Sequence, residues 1–214
     1  MKHNSLRLKN VAALATSVLV LASCASSGKG EPVPSGMYGM IYDRDGAPVM
    51  GAELIVDGIP AASSDSGGRF YLDALAIGEH ALEARKRGFE PYSGAFEFRS
   101  GSDVLYVKLV SAAWLLDEAE AAAGRRDWNA SIRATERVLA IDPDDPVAAF
   151  LLGVQALLAP GSEHLAPRAV ELLEKAAARG ERESSLFILL AELYEKRLGD
   201  GEGALEWLRE TGSP

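Results

Sequence analysis

Cys24 is the only cysteine in a chain of 214 residues, and its surroundings suggest a specific chemistry for its thiol. Residues 1–10 are basic and contain no acid, and residues 11–22 form an uninterrupted run of small and apolar residues. That run is shorter than the roughly 20 residues of a membrane-spanning helix and has the length of a signal-peptide apolar region. The sequence therefore predicts an export signal that ends beside Cys24. Without a second cysteine, the folded part must be stabilised by its own core.

Three residues immediately before Cys24 complete a pattern: Leu21 is aliphatic, and Ala22 and Ser23 are small. The pattern resembles the lipobox of bacterial lipoproteins. The resemblance implies that residues 1–23 are removed by the lipoprotein signal peptidase, which recognises Leu21, Ala22 and Ser23. It also implies that Cys24 carries the lipid, including acyl chains such as palmitate, and anchors the protein to a membrane. The alternative is an ordinary signal peptide that happens to contain a cysteine.

Residues 24–35 are small, polar and proline-containing, which is typical of a flexible tether with a reach of roughly 20 Å. Ala25 follows the cysteine, where the lipoprotein resemblance associates Asp with retention in the inner membrane. The sequence therefore favours a location in the bacterial cell envelope, at the periplasmic face of the outer membrane rather than at the inner membrane.

The chain is acidic, with a formal net charge of −9, and removal of residues 1–23 takes away three basic residues and no acids. This charge argues against nucleic-acid binding, which needs clustered Lys and Arg. It also argues against adhesion to anionic lipid by charge alone. Membrane attachment is therefore expected through the lipid on Cys24.

Two short motifs in the first half suggest metal sites, and simpler explanations are available for both. His80 and Glu83 have the spacing of a zinc-binding pair, but residues three apart in a strand point to opposite faces. The other histidine that follows the signal sequence, His164, lies in a later loop, so no third ligand is evident. Residues 43–46 suggest a calcium loop but lack its distal Glu, and a β-turn explains them. We expect no metal site and no cofactor.

Residues 36–110 have the alternating pattern and regular turn signals of an antiparallel β-sandwich of about seven strands. Candidate strands are 37–42, 52–57, 68–72, 79–86, 94–98 and 103–109. The order Gly39-x-Ile41-x-Asp43, Asp65-x-x-Gly68-x-Phe70-x-Leu72 and Leu75-x-x-Gly78-x-His80-x-Leu82 resembles the carboxypeptidase regulatory-like domain, a prealbumin-type fold, with features of the PEGA domain. The resemblance implies a non-catalytic accessory module.

Residues 112–214 change to helical spacing, rich in Ala, Leu, Glu and Arg. The predicted helices are 112–123, 128–141, 146–158, 166–179, 185–197 and 202–210. Their pairing at a spacing close to 34 residues, with Trp128, Ser131 and Asp142-Pro143 in the first unit, resembles tetratricopeptide repeats. The second unit has about four extra residues in its turn, and a generic helical bundle is the alternative. The predicted fold class is thus α+β, a sandwich followed by about three helix pairs.

The tetratricopeptide resemblance implies a groove lined by the first helix of each pair. Its positions carry over to six residues of this chain: Leu116, Glu120, Phe150, Val154, Ile188 and Glu192. This mixture of apolar and acidic side chains would accept an apolar or basic peptide. The alternative is that several of these residues pack against a neighbouring helix or against the sandwich.

No catalytic constellation is evident, because the chain has no nucleophile motif, no phosphate loop and no spare cysteine. Ser162, Glu163 and His164 are adjacent in sequence, which is not triad geometry. We therefore expect a non-catalytic envelope adaptor that binds a protein partner, of oligomeric state left open. A carbohydrate- or peptidoglycan-binding lipoprotein that uses the sandwich is the alternative, and a metallopeptidase is a third. Sugar sites present exposed aromatics, and the sandwich supplies Tyr38, Tyr42, Tyr71, Phe89, Tyr92, Phe96 and Phe98, many of which alternation would bury.

Overall fold

The computed structural model describes residues 35–211. The predicted signal peptide 1–23, with Leu21, Ala22 and Ser23, lies outside them. So do Cys24 and all but the last residue of the predicted tether. Among the described residues, no helix is both long and apolar enough to cross a membrane.

Seven strands form two sheets in the first half of the described chain. A three-stranded sheet has the order β4-β1-β7, and a four-stranded sheet has the order β3-β2-β5-β6. The strands are β1 (Ser35–Tyr42), β2 (Glu53–Val56), β3 (Ile59–Ser63), β4 (Arg69–Leu75), β5 (Gly78–Arg85), β6 (Tyr92–Phe98) and β7 (Val104–Lys108). Alternate side chains of both sheets meet in one core, in which Ile41, Leu54 and Leu72 are fully buried. The α+β prediction, with a sandwich first, is confirmed.

One strand pair differs from the predicted antiparallel arrangement. β1 pairs with β4 in antiparallel fashion but with β7 in parallel, so that Tyr38 lies beside Tyr71 on one side and Val104 on the other. The other three pairings are antiparallel. Strand polarity could not be read from alternation, because both polarities give side chains the same two-residue period.

None of the candidate strands covers β3, because Asp57-Gly58-Ile59-Pro60 has the residue types of a turn. The turn occupies only two residues, Asp57 and Gly58, which both have positive φ, of 50° and 79°. β3 therefore begins already at Ile59. β3 is an edge strand, so Pro60 costs no internal hydrogen bond. Its side chains are mostly exposed, which leaves no apolar alternation to predict it.

Two glycines of the sandwich motif are required by close packing. A Cβ at Gly39 would lie 2.1 Å from Cζ of Phe70, so the missing side chain lets this buried ring cross β1. Gly68 has φ +72°, and a Cβ there would lie 2.3 Å from the carbonyl oxygen of Ile41. The same turn is held by Asp65, whose carboxylate accepts from the backbone N–H groups of Gly67 and Arg69.

Six α-helices follow and pair as antiparallel hairpins. They are α1 (Ala112–Gly124), α2 (Trp128–Ile141), α3 (Pro146–Leu158), α4 (Ala166–Ala178), α5 (Ser184–Leu193) and α6 (Gly201–Glu210). A 3₁₀ turn over Glu163–Leu165 precedes α4, and a π-helical turn over Tyr194–Leu198 continues α5. Side chains of Ser111, Asp127, Asp145 and Asp200 cap the N-termini of α1, α2, α3 and α6.

The hairpins α1–α2, α3–α4 and α5–α6 stack in chain order. α3 contacts both α1 and α5, so the first helices of the three hairpins form one layer. A continuous core of Ala and Leu side chains, including Leu152, Leu173 and Leu190, joins the hairpins. The predicted stack of tetratricopeptide-like helix pairs is therefore present.

The sandwich and the helices contact each other beyond their short connection. Arg137 of α2 donates two hydrogen bonds to the carboxylate of Glu90, at 2.7 and 2.6 Å. The Arg44 guanidinium lies over the Trp114 ring of α1, 4.8 Å from its centroid. These contacts fix the first hairpin against the β5–β6 and β1–β2 connections.

Candidate functional site

The six predicted groove residues occupy equivalent positions on the three first helices. Each helix contributes a pair separated by four residues, which places both members on one helical face. The pairs are Leu116 and Glu120 on α1, Phe150 and Val154 on α3, and Ile188 and Glu192 on α5. We call this layer the groove face. The spacing is 34 residues from α1 to α3 and 38 from α3 to α5, because the α3–α4 turn is longer.

The apolar side chains of the groove face are only partly buried in the core. Leu116, Phe150 and Val154 are half-buried and pack against core residues, whereas Ile188 is 47% exposed. Val147, one turn before Phe150 on α3, is 44% exposed and adds to this surface. The alternative, that several of these residues pack against a neighbouring helix or the sandwich, therefore agrees with Leu116, Phe150 and Val154 but not with Ile188.

A cleft of about 260 Å³ opens at one end of the groove face, between α3 and the segment that leads into α5. Its lining comprises Pro146, Val147, Phe150, Glu181, Glu183, Ser185 and Leu186. The volume lies below the roughly 300–1,000 Å³ of pockets that hold small-molecule ligands and cofactors. A cleft of this size can accept one apolar side chain from a partner.

The acidic residues of the groove face differ in their partners. The Glu192 carboxylate lies 3.1 Å from Nζ of Lys196, one turn later on the same helix. Glu120 is exposed on α1, and Glu181 and Glu183 flank the cleft. The acidic character is therefore concentrated at the cleft and on α1 rather than at Glu192.

A second surface lies on the outer side of the β4-β1-β7 sheet. Tyr38 and Tyr42 of β1, Tyr71 of β4 and Tyr106 of β7 point away from the core, and we call this surface the tyrosine face. The rings of Tyr38 and Tyr71 have centroids 4.7 Å apart, and those of Tyr42 and Tyr106 are 6.3 Å apart. Met40 lies between Arg69 and Tyr106 in the strand register, at the middle of the face.

The expected aromatics of the sandwich divide between this face and the core. Alternation in β6 buries Phe96 and Phe98, whereas Phe89 and Tyr92 are half-buried against the core. Tyr38, Tyr42 and Tyr71 remain on the outer side. Tyr106 is not one of the exposed aromatics that the sequence analysis names for the sandwich. Alternation with the apolar Val107 and Leu109 in the predicted strand 103–109 was the signal that could have identified it.

His80 and Glu83 point to opposite faces of β5 and do not share a site. The His80 ring lies 2.6 Å from the Asp57 carboxylate through Nδ1 and 2.8 Å from the Ala76 carbonyl through Nε2. The Ala76 carbonyl and then the Asp57 carboxylate raise the pKa of His80. Hydrogen bonds from His80 and from the Ala81 N–H lower the pKa of Asp57. Glu83 instead pairs with Arg85 at 2.6 Å.

The remaining motifs that suggested chemistry are accounted for by local backbone contacts. The Asp43 carboxylate accepts from the N–H groups of Asp45 and Ala47, as in an Asx turn. The buried Ser162 hydroxyl lies 2.6 Å from the carbonyl oxygens of Gln155 and Ala159 rather than beside His164. Within residues 35–211, no group of three or more His, Cys, Asp or Glu side chains could hold a metal ion.

Comparison with known proteins gives weak structural likenesses. A crystal structure of MamA matches with a TM-score of 0.40 and 20% identity, over 47% of this chain and 52% of that chain. A crystal structure of BcpA, the major pilin subunit of Bacillus cereus, matches with a TM-score of 0.29 and 15% identity, over 36% and 28%. This chain therefore spans about half the length of the MamA structure and 28% of the BcpA structure. No protein-family model and no curated protein matches the sequence.

Proposed function

We propose that the protein is a non-catalytic, lipid-anchored adaptor of the bacterial cell envelope that holds a protein partner on its groove face. The observation that carries the proposal is the repetition of one surface position on three stacked helices. Leu116, Phe150 and Ile188 share that position, and exposure increases from the half-buried Leu116 and Phe150 to Ile188. Such a layer presents a row of side chains to an extended or helical segment.

The ligand class follows from the size of the cleft and the arrangement of the row. The cleft beside Phe150, of about 260 Å³, has room for an apolar side chain of a partner. Val147 and Ile188 border it with exposed apolar surface. A peptide segment with apolar side chains at successive positions can place one in the cleft and lay others along the row.

Charge selects among such segments. Glu181 and Glu183 flank the cleft, Glu120 is exposed on α1, and the whole chain carries a formal charge of −9. A basic segment is attracted to this surface, and an acidic one is repelled. The preferred partner segment is therefore apolar with Lys or Arg at its edges.

The location rests on Cys24 and its preceding residues, which resemble a lipobox. The tether that follows would hold the binding modules roughly 20 Å from the membrane. Ala25 favours the periplasmic face of the outer membrane. Anchoring confines the groove face to a surface, which raises the effective concentration of a partner in the same layer.

Site-specific crosslinking tests the groove. A photoreactive amino acid at Val147 or Ile188, introduced in intact cells of the organism that encodes the chain, should give one shared adduct. The double variant Val147→Glu/Phe150→Ala should lose the adduct formed from Ile188, because it places charge in the cleft and removes its aromatic wall.

Leu205 and Leu208 provide matched control positions, since they are exposed by 56% and 44% and lie on α6, a second helix that does not contribute to the groove face. A photoreactive residue at either should not give the same adduct, and Leu205→Glu should leave the Ile188 adduct unchanged. Adducts of equal yield from all four positions would contradict the proposal, as would an Ile188 adduct that survives the double variant.

A further inference from the structure

The tyrosine face exposes several large side chains to solvent. Tyr38 is 63% exposed and Tyr106 is 58% exposed, with Val104 and Tyr71 at 47% and 44%. On the opposite side of the same sheet, side chains such as Met37, Ile41 and Val107 point into the core. Within residues 35–211, no helix or loop covers the exposed rings.

Strand register arranges these side chains in rows. Tyr71, Tyr38 and Val104 lie side by side across the three strands, and Arg69, Met40 and Tyr106 form the next row. Tyr42 and Lys108 form a third, with Nζ of Lys108 5.4 Å from the centre of the Tyr42 ring. The result is an open platform of rings that are tilted to one another, by 49° for Tyr38 and Tyr71 and by 51° for Tyr42 and Tyr106, with hydroxyl groups and charged side chains at its margin.

The dimensions of the platform limit what it can bind. Strands about 4.8 Å apart and a rise of about 3.3 Å per residue give a patch of roughly 10 by 13 Å. A stable protein interface buries about 800 Å² on each partner, several times the area of this patch. A second copy of the chain or another protein would therefore need contacts well beyond the tyrosine face, whereas a short stretch of a linear polymer would not.

The charges of the platform exclude further classes of ligand. Arg69 and Lys108 are balanced by Asp65, which pairs with Arg69 at 3.1 Å, and by Asp73 on the same strand. The chain as a whole has a formal charge of −9. Nucleic acids and anionic lipid surfaces bind to clustered positive charge, which this balanced set does not provide.

We propose that the tyrosine face binds a glycan chain of β-linked pyranose units, whose flat C–H faces stack on Tyr38, Tyr71 and Tyr106. Tyrosine rings offer an apolar surface for the sugar ring and a hydroxyl group for its substituents. Arg69, Asp73 and Lys108 supply donors and an acceptor for sugar hydroxyl groups at the margin. This site is separate from the groove face and does not depend on the adaptor proposal.

Retention of the full-length chain on insoluble glycans tests the proposal. Purified peptidoglycan sacculi, chitin and amorphous cellulose serve as probes, with the protein kept in detergent throughout. The wild-type chain should be retained on at least one of them. Tyr38→Ala/Tyr106→Ala should bind roughly tenfold more weakly, the equivalent of about 1.4 kcal/mol. Retention on chitin or cellulose, which are neutral polymers, should change little between about 50 and about 500 mM salt.

The control variant Ile59→Ala/Ile77→Ala removes two side chains that are each 68% exposed and lie off the tyrosine face. It should bind as the wild type does. Urea unfolding of all three proteins should give equal midpoints, which excludes loss of fold as the cause. Absence of wild-type retention on all three glycans overturns the proposal. So does equal binding by the tyrosine variant, or a tyrosine variant that loses binding to phospholipid vesicles but not to glycan.

Discussion

His80 connects three segments of the sandwich through its two ring nitrogens. Its partners are the Asp57 carboxylate, in the turn between β2 and β3, and the Ala76 carbonyl, in the loop before β5. Both partners are acceptors, so both nitrogens donate when the ring is protonated. The imidazolium form is therefore the one that this arrangement stabilises, and His80 is a structural residue rather than half of a zinc pair.

Stability should depend on pH through His80. Because its folded-state pKa is raised above 6.5, its contribution is present in full below that pH and is lost as pH rises through the folded pKa. The difference in free energy of unfolding between wild type and His80→Gln should therefore be larger at about pH 5.5 than at about pH 8.5. Urea unfolding at both values measures it. His164→Gln serves as the control, and an equal difference for His80→Gln at both pH values would contradict the assignment.

At the scale of elements, the turns of the sandwich decide where the strands begin. The motif residues Asp65 and Gly68 form the turn before β4, in which a backbone hydrogen bond joins the Ile41 N–H to the Gly68 carbonyl at 2.7 Å. The sequence motif identified these positions, and the structure supplies the reason. Gly68 combines a left-handed φ with a close approach to the β1 backbone.

Substitution of Gly68 should therefore cost more than left-handed backbone strain alone. Gly46 also has a positive φ, +85°, but a Cβ there would meet open space, so Gly46→Ala should destabilise the chain by about 1–2 kcal/mol. Gly68→Ala adds a clash with the Ile41 carbonyl and should cost about 3 kcal/mol or more. Denaturant unfolding of the two variants measures the difference, and equal losses would show that the clash is relieved without cost.

For the whole molecule, the proposed location rests on the predicted lipidation of Cys24. Metabolic labelling with radioactive palmitate should mark the wild-type chain, and Cys24→Ser should remove the label because no other thiol can accept the lipid. The variant Ser26→Ala, two residues beyond the cysteine, should keep the label. Palmitate incorporation into Cys24→Ser would disprove the lipidation site, whereas its loss together with retention in Ser26→Ala would establish it.

The two proposed binding surfaces also belong to this scale, because they lie on parts of the chain that contact each other. The Glu90–Arg137 pair and the Arg44–Trp114 contact join the sandwich to the first hairpin. Neither pair could be expected from sequence, since Glu90 and Arg137 are 47 residues apart and neither stands in a motif. A partner on the groove face and a glycan on the tyrosine face would thereby be held by one connected unit.

The sequence by itself determined the α+β class and the six helices, because helical periodicity and capping residues are local properties. It also predicted the role of Cys24 from local motif chemistry. The six groove positions remain a prediction that rests on the tetratricopeptide resemblance. Only the tertiary structure decided the polarity of β7, the edge strand β3 and the assembly of Tyr38, Tyr71 and Tyr106 into one face. Strand order and register are set by contacts between distant segments, and alternation alone cannot reveal which strands become neighbours.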